Sequence, residues 1–500
     1  MVLLIVSSCR KEPLDQWNST VLELRKDPLP VPDGDPYTRE DLDRRVLDTL
    51  EGRNDFQWEW MDLKTIWSAL QYNDHALAIG YQPSGVGNFQ NQLASIDIQS
   101  DDYKQVHDAL LTVILDEVKK VSGDTATIAG ILVEDDPVLP IITIRTQEKV
   151  LLTRLYNIAN VRYLEPLDYF PKVVLRSGSG CGGSLTPINA IDYSIITPGS
   201  LVPWNYSLAG IPAAWNYGQG QGITIGVIDA GISSAQSLLN TQFNSGYSSG
   251  RSLNIGYVYG TTAYTSCVHG TSMCGLAAGP RNTMNATTGV AYKANLNFVR
   301  ACDDVVLTSS GERLGVKNAL VYMGNTTNLR IISMSIGTPF SSSVLKDGVD
   351  YAYAKGKLIF AAAGTSYTWT TWYGVIYPAA YSSCIAVTGI RENGTTCSTC
   401  HDGSAVQFTV VMERTNDNDR NSLSLPPFNY VPTYVGGSSS ATATSAGIAA
   451  LVWSVKPAMT RDQLYYCIRN TAQYFPLMDA EHGYGKVNAM AAVNYAISHY

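Results

Sequence analysis

The 500-residue chain contains no run of apolar residues of the roughly 18 that a membrane-crossing helix needs, so hydropathy gives no transmembrane helix. It also lacks a basic excess. Lys and Arg number 35 against 43 Asp and Glu, a net charge of -8, without the basic stripe that phosphate backbones require. Nucleic acid is therefore not an expected partner, and a mild negative charge serves solubility. With 45% hydrophobic residues the chain can bury at least one sizeable core, and its length suits two or three domains.

Two organised regions are present. In the first, Thr38 precedes Leu42, Val46 and Leu50 at helical spacing, and ALAIGY (76–81) reads as a strand. A helix over 101–121, strands GILVED and LPIITIRT, a helix over 147–161 and strand RYLEPLDYF follow. Strand, helix, strand, strand, helix, strand predicts a small α+β, ferredoxin-like unit with two helices on one face, a fold that implies no function by itself. Before it, residues 10–36 are polar and punctuated by Pro28, Pro30, Pro32 and Pro36, and read as a tether. After it, the glycine-serine-rich RSGSGCGGS (176–184) reads as a linker.

In the second region strands alternate with helices. ITIGVID (223–229), LNFVRA (296–301), LRIISMSIG (329–337), KLIFAAAG (357–364) and CIAVTGI (384–390) are continuously apolar, as expected where helices cover both faces of a parallel sheet. The prediction is a doubly wound α/β domain with a mainly parallel sheet. Its ligands should bind beyond the carboxyl ends of the strands, where Asp229, Ser335 and Thr365 fall.

Three segments carry reactive side chains. Asp229 ends an apolar strand, although many such residues merely cap the next helix. His269, in CVHGTSMCG, stands at a helix start where one ring nitrogen can face outward. GGSSSATATSAG (436–447) leads into a helix from about Ser440. A serine at that helix start lies near free backbone N–H groups and the positive end of the helix dipole, which favour an oxyanion.

The order Asp, His, Ser on one doubly wound domain is that of subtilisin. Residues 200–500 accordingly resemble the subtilisin-like serine proteases, or subtilases. ITIGVIDAGI, HGTSMCG, GVAYKANLNFVR, RIISMSIG, IYPAAYSSCIAVTGI and GYGKVNAMAAV stand in the family's sequence. Registering SSATATSAGIAAL through Ala446-Gly447 puts the nucleophile at Ser439. The resemblance implies that Asp229 orients His269, that His269 takes the Ser439 proton, and that Ser439 attacks a peptide carbonyl to form an acyl-enzyme. It implies no required metal or cofactor; structural calcium sites are not readable.

This sequence departs from the family at Ala443 and Thr444, which replace a proline and a histidine. It also departs at Thr365, which stands where the family has the oxyanion asparagine. Loss of one such donor costs on the order of a hundred- to a thousandfold in rate, as in subtilisin itself, though a threonine hydroxyl can also donate. The resemblance implies an oxyanion hole made by Thr365 and the Ser439 N–H. Ser333, Met334, Ser335, Ile336 and Gly337 would line the cleft that pairs with extended peptide or protein substrates. A catalytically weakened, peptide-binding subtilase fold is the alternative. The segment LPIITIRTQEKVLLTRLYNIANVRYLEPLDYF is similar to subtilase propeptides, which implies a zymogen whose own N-terminal domain is an intramolecular inhibitor. The expected boundaries are 1–36 for the N-terminal segment and tether, 37–175 for the propeptide-like domain, 176–200 for the linker and 201–500 for the catalytic domain.

MVLLIVSSC (1–9) resembles the end of a bacterial lipoprotein signal, without a charged n-region. It implies lipidation of Cys9, membrane anchoring through it, and a protein exported to the cell envelope or secreted. The eight other cysteines are compatible with disulfides in an exported protein. CSTCH (397–401) matches the C-x-x-C-H haem-attachment pattern literally, but its place in a loop of the α/β domain favours a local disulfide or bridges to other cysteines over haem or metal.

Overall fold

The computed structural model describes residues 21–172, 181, 186–366 and 374–500. Cys9 and the signal-like segment lie outside them, as does most of the glycine-serine-rich stretch.

The N-terminal unit begins with α1 (Arg39–Arg53) and α2 (Leu63–Ala69), capped by the Thr38 and Asp62 side chains. Then follow β1 (Ala76–Tyr81), α3 (Asp101–Ser122), β2 (Leu132–Asp135), β3 (Ile141–Arg145), α4 (Lys149–Tyr156) and β4 (Val161–Pro166). The strands form an antiparallel sheet in the order β2-β3-β1-β4. Leu77 and Ile79 of β1 pack on Val106, Leu110 and Ile114 of α3 and on Leu151 and Leu155 of α4. β1 is nonetheless buried at every residue, because its other face, through Ala76 and Ala78, is also covered.

Two expectations need correction here. α4 ends at Tyr156 rather than near 161, because Asn157 and Asn160 turn their amides to the preceding segment. That segment is no free tether over its described part. Ala159 N–H donates to the Glu23 carbonyl (2.7 Å) and Arg25 N–H to the Asn157 carbonyl (2.8 Å). The Asn157 side chain pairs with both the N–H and the carbonyl of Leu29, and Asn160 Oδ1 accepts from Glu23 N–H.

The second unit opens with hairpin β5 (Tyr193–Ile196) and β6 (Ser200–Pro203), then α5 (Ile211–Ala214), β7 (Thr224–Asp229) and β8 (Leu253–Tyr257). It continues through α6 (His269–Ala278), β9 (Asn295–Arg300), α7 (Ser310–Asn325), β10 (Leu329–Met334), α8 (Ser343–Ala354) and β11 (Leu358–Ala362). β12 (Ile385–Arg391), β13 (Val406–Arg414), β14 (Asp417–Ser424), β15 (Thr433–Val435), α9 (Gly437–Val455), α10 (Arg461–Arg469) and α11 (Ala489–His499) complete it. The linker is shorter than expected: Asp192 is fully buried and accepts from Arg414, Arg420 and Tyr434, so the chain from about 190 is built into this unit.

A nine-stranded sheet runs β15-β14-β13-β12-β11-β10-β7-β9-β8. Neighbours from β8 to β13 are parallel, and β14 and β15 add antiparallel at one edge. α9 is buried along almost its whole length, which requires small residues. A Cβ on Gly447 would lie 2.6 Å from Val290 Cβ and 2.9 Å from the Ala277 carbonyl oxygen of α6.

Among the described residues two disulfides form, Cys181–Cys267 and Cys397–Cys400. Cys274, Cys302, Cys384 and Cys467 are buried free thiols. An even cysteine count thus overstates the pairing, because these four fill core space as small hydrophobes.

Candidate active site

β7 lies between β9 and β10, so the chain leaves its carboxyl end towards one side of the sheet and returns on the other, the switch that opens a crevice. Ile228 of β7 pairs with Met334 of β10. Asp229 and Ser335 therefore occupy adjacent strand-end positions, about 4.8 Å apart in a parallel sheet.

His269 is held on the first of these. Its Nδ1 donates to Asp229 Oδ1 (2.9 Å) and Oδ2 (3.0 Å), and Asp229, fully buried, also accepts from Ala230 N–H (2.8 Å). A carboxylate only accepts, so the proton sits on Nδ1 and Nε2 is left as an acceptor. Burial works against a charged His269 ring. The charge and hydrogen bond of Asp229, with Asp304 adding to them, outweigh that penalty and leave its pKa above the usual imidazole value.

Ser439 is held on the second position. Its Oγ donates to the Ser335 carbonyl (3.4 Å), and Ser335 Oγ donates to the Ser439 carbonyl (3.0 Å). No hydrogen bond joins Ser439 Oγ to His269. α9 starts at Gly437, earlier than the expected Ser440, because Gly436 is extended and Gly437 turns in at φ +73°. All three serines thus lie in the first turn, and the amides of Ser438 and Ser439 have no intrahelical carbonyl. Ser438 N–H donates to Thr365 Oγ1 (3.2 Å), the two hydroxyls are 3.0 Å apart, and Ser438 Oγ accepts from Gly364 N–H (3.1 Å).

Ser335, Ile336 and Gly337 line one cavity with Thr365, Ser438 and Ser439. Ser333 and Met334 do not. Ser333 is paired inside the sheet between Val227 and Phe360, and Met334 is a fully buried core residue, because β10 clears the sheet only after Met334. His401 also lines this cavity. Both sulfurs of CSTCH are bonded to each other, so the local-disulfide reading accounts for that motif. Asp402, Glu481 and His482 bring ligand atoms within 4.8 Å of one another, and Thr396 hydrogen-bonds both Asp402 and His482.

Residues 220–487 match the Subtilase family of peptidases. The chain belongs to the subtilase family. It is 32% identical over 287 residues to a thermostable alkaline protease of Halalkalibacterium halodurans, covering 56% of this chain and 70% of that one. Against thermitase of Thermoactinomyces vulgaris it is 29% identical over 285 residues, 57% of this chain and 93% of the relative. Its structure is similar to that of MycP1 from Mycobacterium smegmatis, with TM-score 0.47 and 20% identity over 60% of this chain and 87% of the other. As a subtilase the protein is a serine endopeptidase.

In this subtilase the N-terminal unit docks on the starts of α7 and α8. Asp168 Oδ1 accepts from Ser310 N–H (2.7 Å), placing a carboxylate at a helix N-terminus, and the carboxyl Oε2 of Glu165 accepts from Val344 N–H (3.2 Å). Arg162 forks onto Asp347 (3.2 and 2.6 Å), and Lys317, fully buried, meets Glu134 (2.9 Å) and Asp136. The covered face of β1 packs here, against Leu314, Val321, Val344 and Tyr351. Asp304 and these docking residues carried no motif, and Ser438 and His401 lay in motifs that did not give their contacts with Thr365 and Ser366; only long-range contacts bring these roles to notice.

Proposed function

We propose that this subtilase hydrolyses peptide bonds through Asp229, His269 and Ser439, and that it is made as a zymogen. The observation that carries the reading is that His269, with its Nδ1–H on Asp229, and Ser439 are held at adjacent strand ends of one crevice. In this reading Ser439 Oγ leaves the Ser335 carbonyl for His269 Nε2, which accepts its proton as the oxygen attacks the substrate carbonyl. The tetrahedral oxyanion lies against the Ser439 N–H and Thr365. In this reading the Ser438 N–H and the Ser438 hydroxyl both donate to Thr365 Oγ1, which leaves the Thr365 proton for the oxyanion. His269 then protonates the leaving amine, and water hydrolyses the acyl-enzyme. None of these steps requires a metal or cofactor. Ser335, Ile336 and Gly337 bind the substrate.

In this reading, residues 37–175 are an inhibitory propeptide and 201–500 the catalytic domain, with the 176–200 interval between them trimmed to its first part. The two disulfides support export, and Cys9 anchors the protein in the bacterial envelope. Two observations favour a second reading, a weakened subtilase that binds peptides: Ser439 Oγ faces the Ser335 carbonyl, and Thr365 replaces an amide. Intact mass separates the two. Purified wild-type protein is expected to lose its N-terminal unit on incubation while Ser439→Ala stays full length. A wild-type chain that never processes, alone or with added active enzyme, favours the binding protein.

A further inference from the structure

The segment that carries Thr365 is clamped from both sides. On one side is Ser438, at the start of α9. On the other is the CSTCH turn, whose two cysteines close on each other. Thr365 bridges Cys400 in antiparallel fashion. Around that bridge Ser366 N–H donates to the Thr399 carbonyl (2.8 Å) and His401 N–H donates to the Gly364 carbonyl (2.9 Å). The His401 ring completes the clamp. Its Nδ1 donates to the Gly374 carbonyl (3.0 Å), so Nε2 is the acceptor for the Ser366 hydroxyl. Burial holds the ring's pKa below the usual value, in keeping with that neutral form. Gly364 sits at φ +128°, and a Cβ there would lie 2.4 Å from His401 Nδ1, so ring and backbone are fitted to each other.

We infer that His401 and the Cys397–Cys400 turn are positioning elements for the oxyanion hole, holding Gly364–Ser366 so that Thr365 meets the developing charge. The inference rests on the proposed oxyanion role of Thr365. A threonine hydroxyl is shorter than an asparagine amide, and its donor must therefore be set by its backbone. The bridge to Cys400 and the paired bonds of Ser366 and His401 set that backbone. The disulfide fixes the turn from which they come. The CSTCH sequence thereby has a use that requires both cysteines and the adjoining histidine, in that order, in a loop facing Thr365.

The test is a comparison of kcat and KM on a chromogenic peptide anilide for mature wild-type enzyme, His401→Ala and Cys397→Ser/Cys400→Ser, each with Thr365 and with Thr365→Val. Misplacing a donor is expected to lower kcat about tenfold, less than the hundredfold or more of removing one, with KM changed less than about twofold. In the Thr365→Val background the same changes should cost less than about twofold. Equal losses in both backgrounds, a change confined to KM, or an unchanged kcat in wild-type background each overturn the inference. If His401→Ala does not fold, Ser366→Ala removes the same ring contact and is read in the same way. Failure of the underlying reading looks different: Thr365→Val itself then has the wild-type kcat, and with no Thr365 contribution to position, the brace falls with it.

Discussion

His269 keeps its proton on Nδ1 because Asp229 can only accept, and in the proposed triad this decides which nitrogen is offered to Ser439. The same carboxylate sets the pH at which the site works. A protonated ring cannot take the serine proton, so activity is present above the His269 pKa and lost as pH falls through it. Because that pKa is raised from 6.5, the acid limb of kcat/KM should have its midpoint above 6.5, and Asp229→Asn should lower kcat by about four orders of magnitude. A pH–rate profile checks both; an acid limb centred well below 6.5 contradicts the assignment of His269 as the base. The three residues of the proposed triad stood out in the sequence because each lies in a segment with its own local logic: a strand end, a helix start, a glycine turn before small residues. Ser438 did not, since its work is a contact with Thr365 across 73 residues. Ser333 and Met334 were read one step too early, because the sequence pattern cannot tell where a buried strand leaves its sheet.

At the scale of elements, α9 joins chemistry to packing. Its small residues let it run through the core against α6, and its first turn presents Ser438 and Ser439 to the crevice. Gly447→Ala would drive a methyl group into Val290 and the Ala277 carbonyl. It should destabilise by about 1–3 kcal/mol, seen as a lower Tm of the mature enzyme, and shift α6, which carries His269. An unchanged Tm would show that the helices can part at no cost. The continuously apolar strands announced the parallel sheet, and the helical spacing of Leu42, Val46 and Leu50 announced α1. Where prediction slipped, polar side chains were responsible. Asn157 and Asn160 stop α4 by bonding the N-terminal segment, and Asp192 draws the supposed linker onto Arg414 and Arg420.

At the scale of the whole molecule, the N-terminal unit is fastened to α7 and α8 by the carboxyl groups of Asp168 and Glu165 at helix starts and by buried ion pairs. Glu165 makes this fastening sensitive to pH: burial, opposed by Arg313, Ser342 and the Val344 N–H, pushes its pKa up to about 7. A carboxyl that holds its proton more tightly when buried stabilises docking most below its free value of 4.5. That contribution is lost as pH rises through about 7. Hydrogen exchange at the α8 N-terminus in full-length Ser439→Ala protein should therefore be faster, after correction for intrinsic rates, at pH 8 than at pH 5. Glu165→Gln should flatten the difference, and a pH dependence that survives that change removes Glu165 from the account. The central claim is that Ser439, the middle of three adjacent serines, is the nucleophile. Peptide mapping of the mature enzyme after reaction with a fluorophosphonate measures this most directly. The account predicts one adduct per chain, on Ser439, lost in Ser439→Ala; an adduct on Ser438 or Ser440, or none on mature protein, would contradict it.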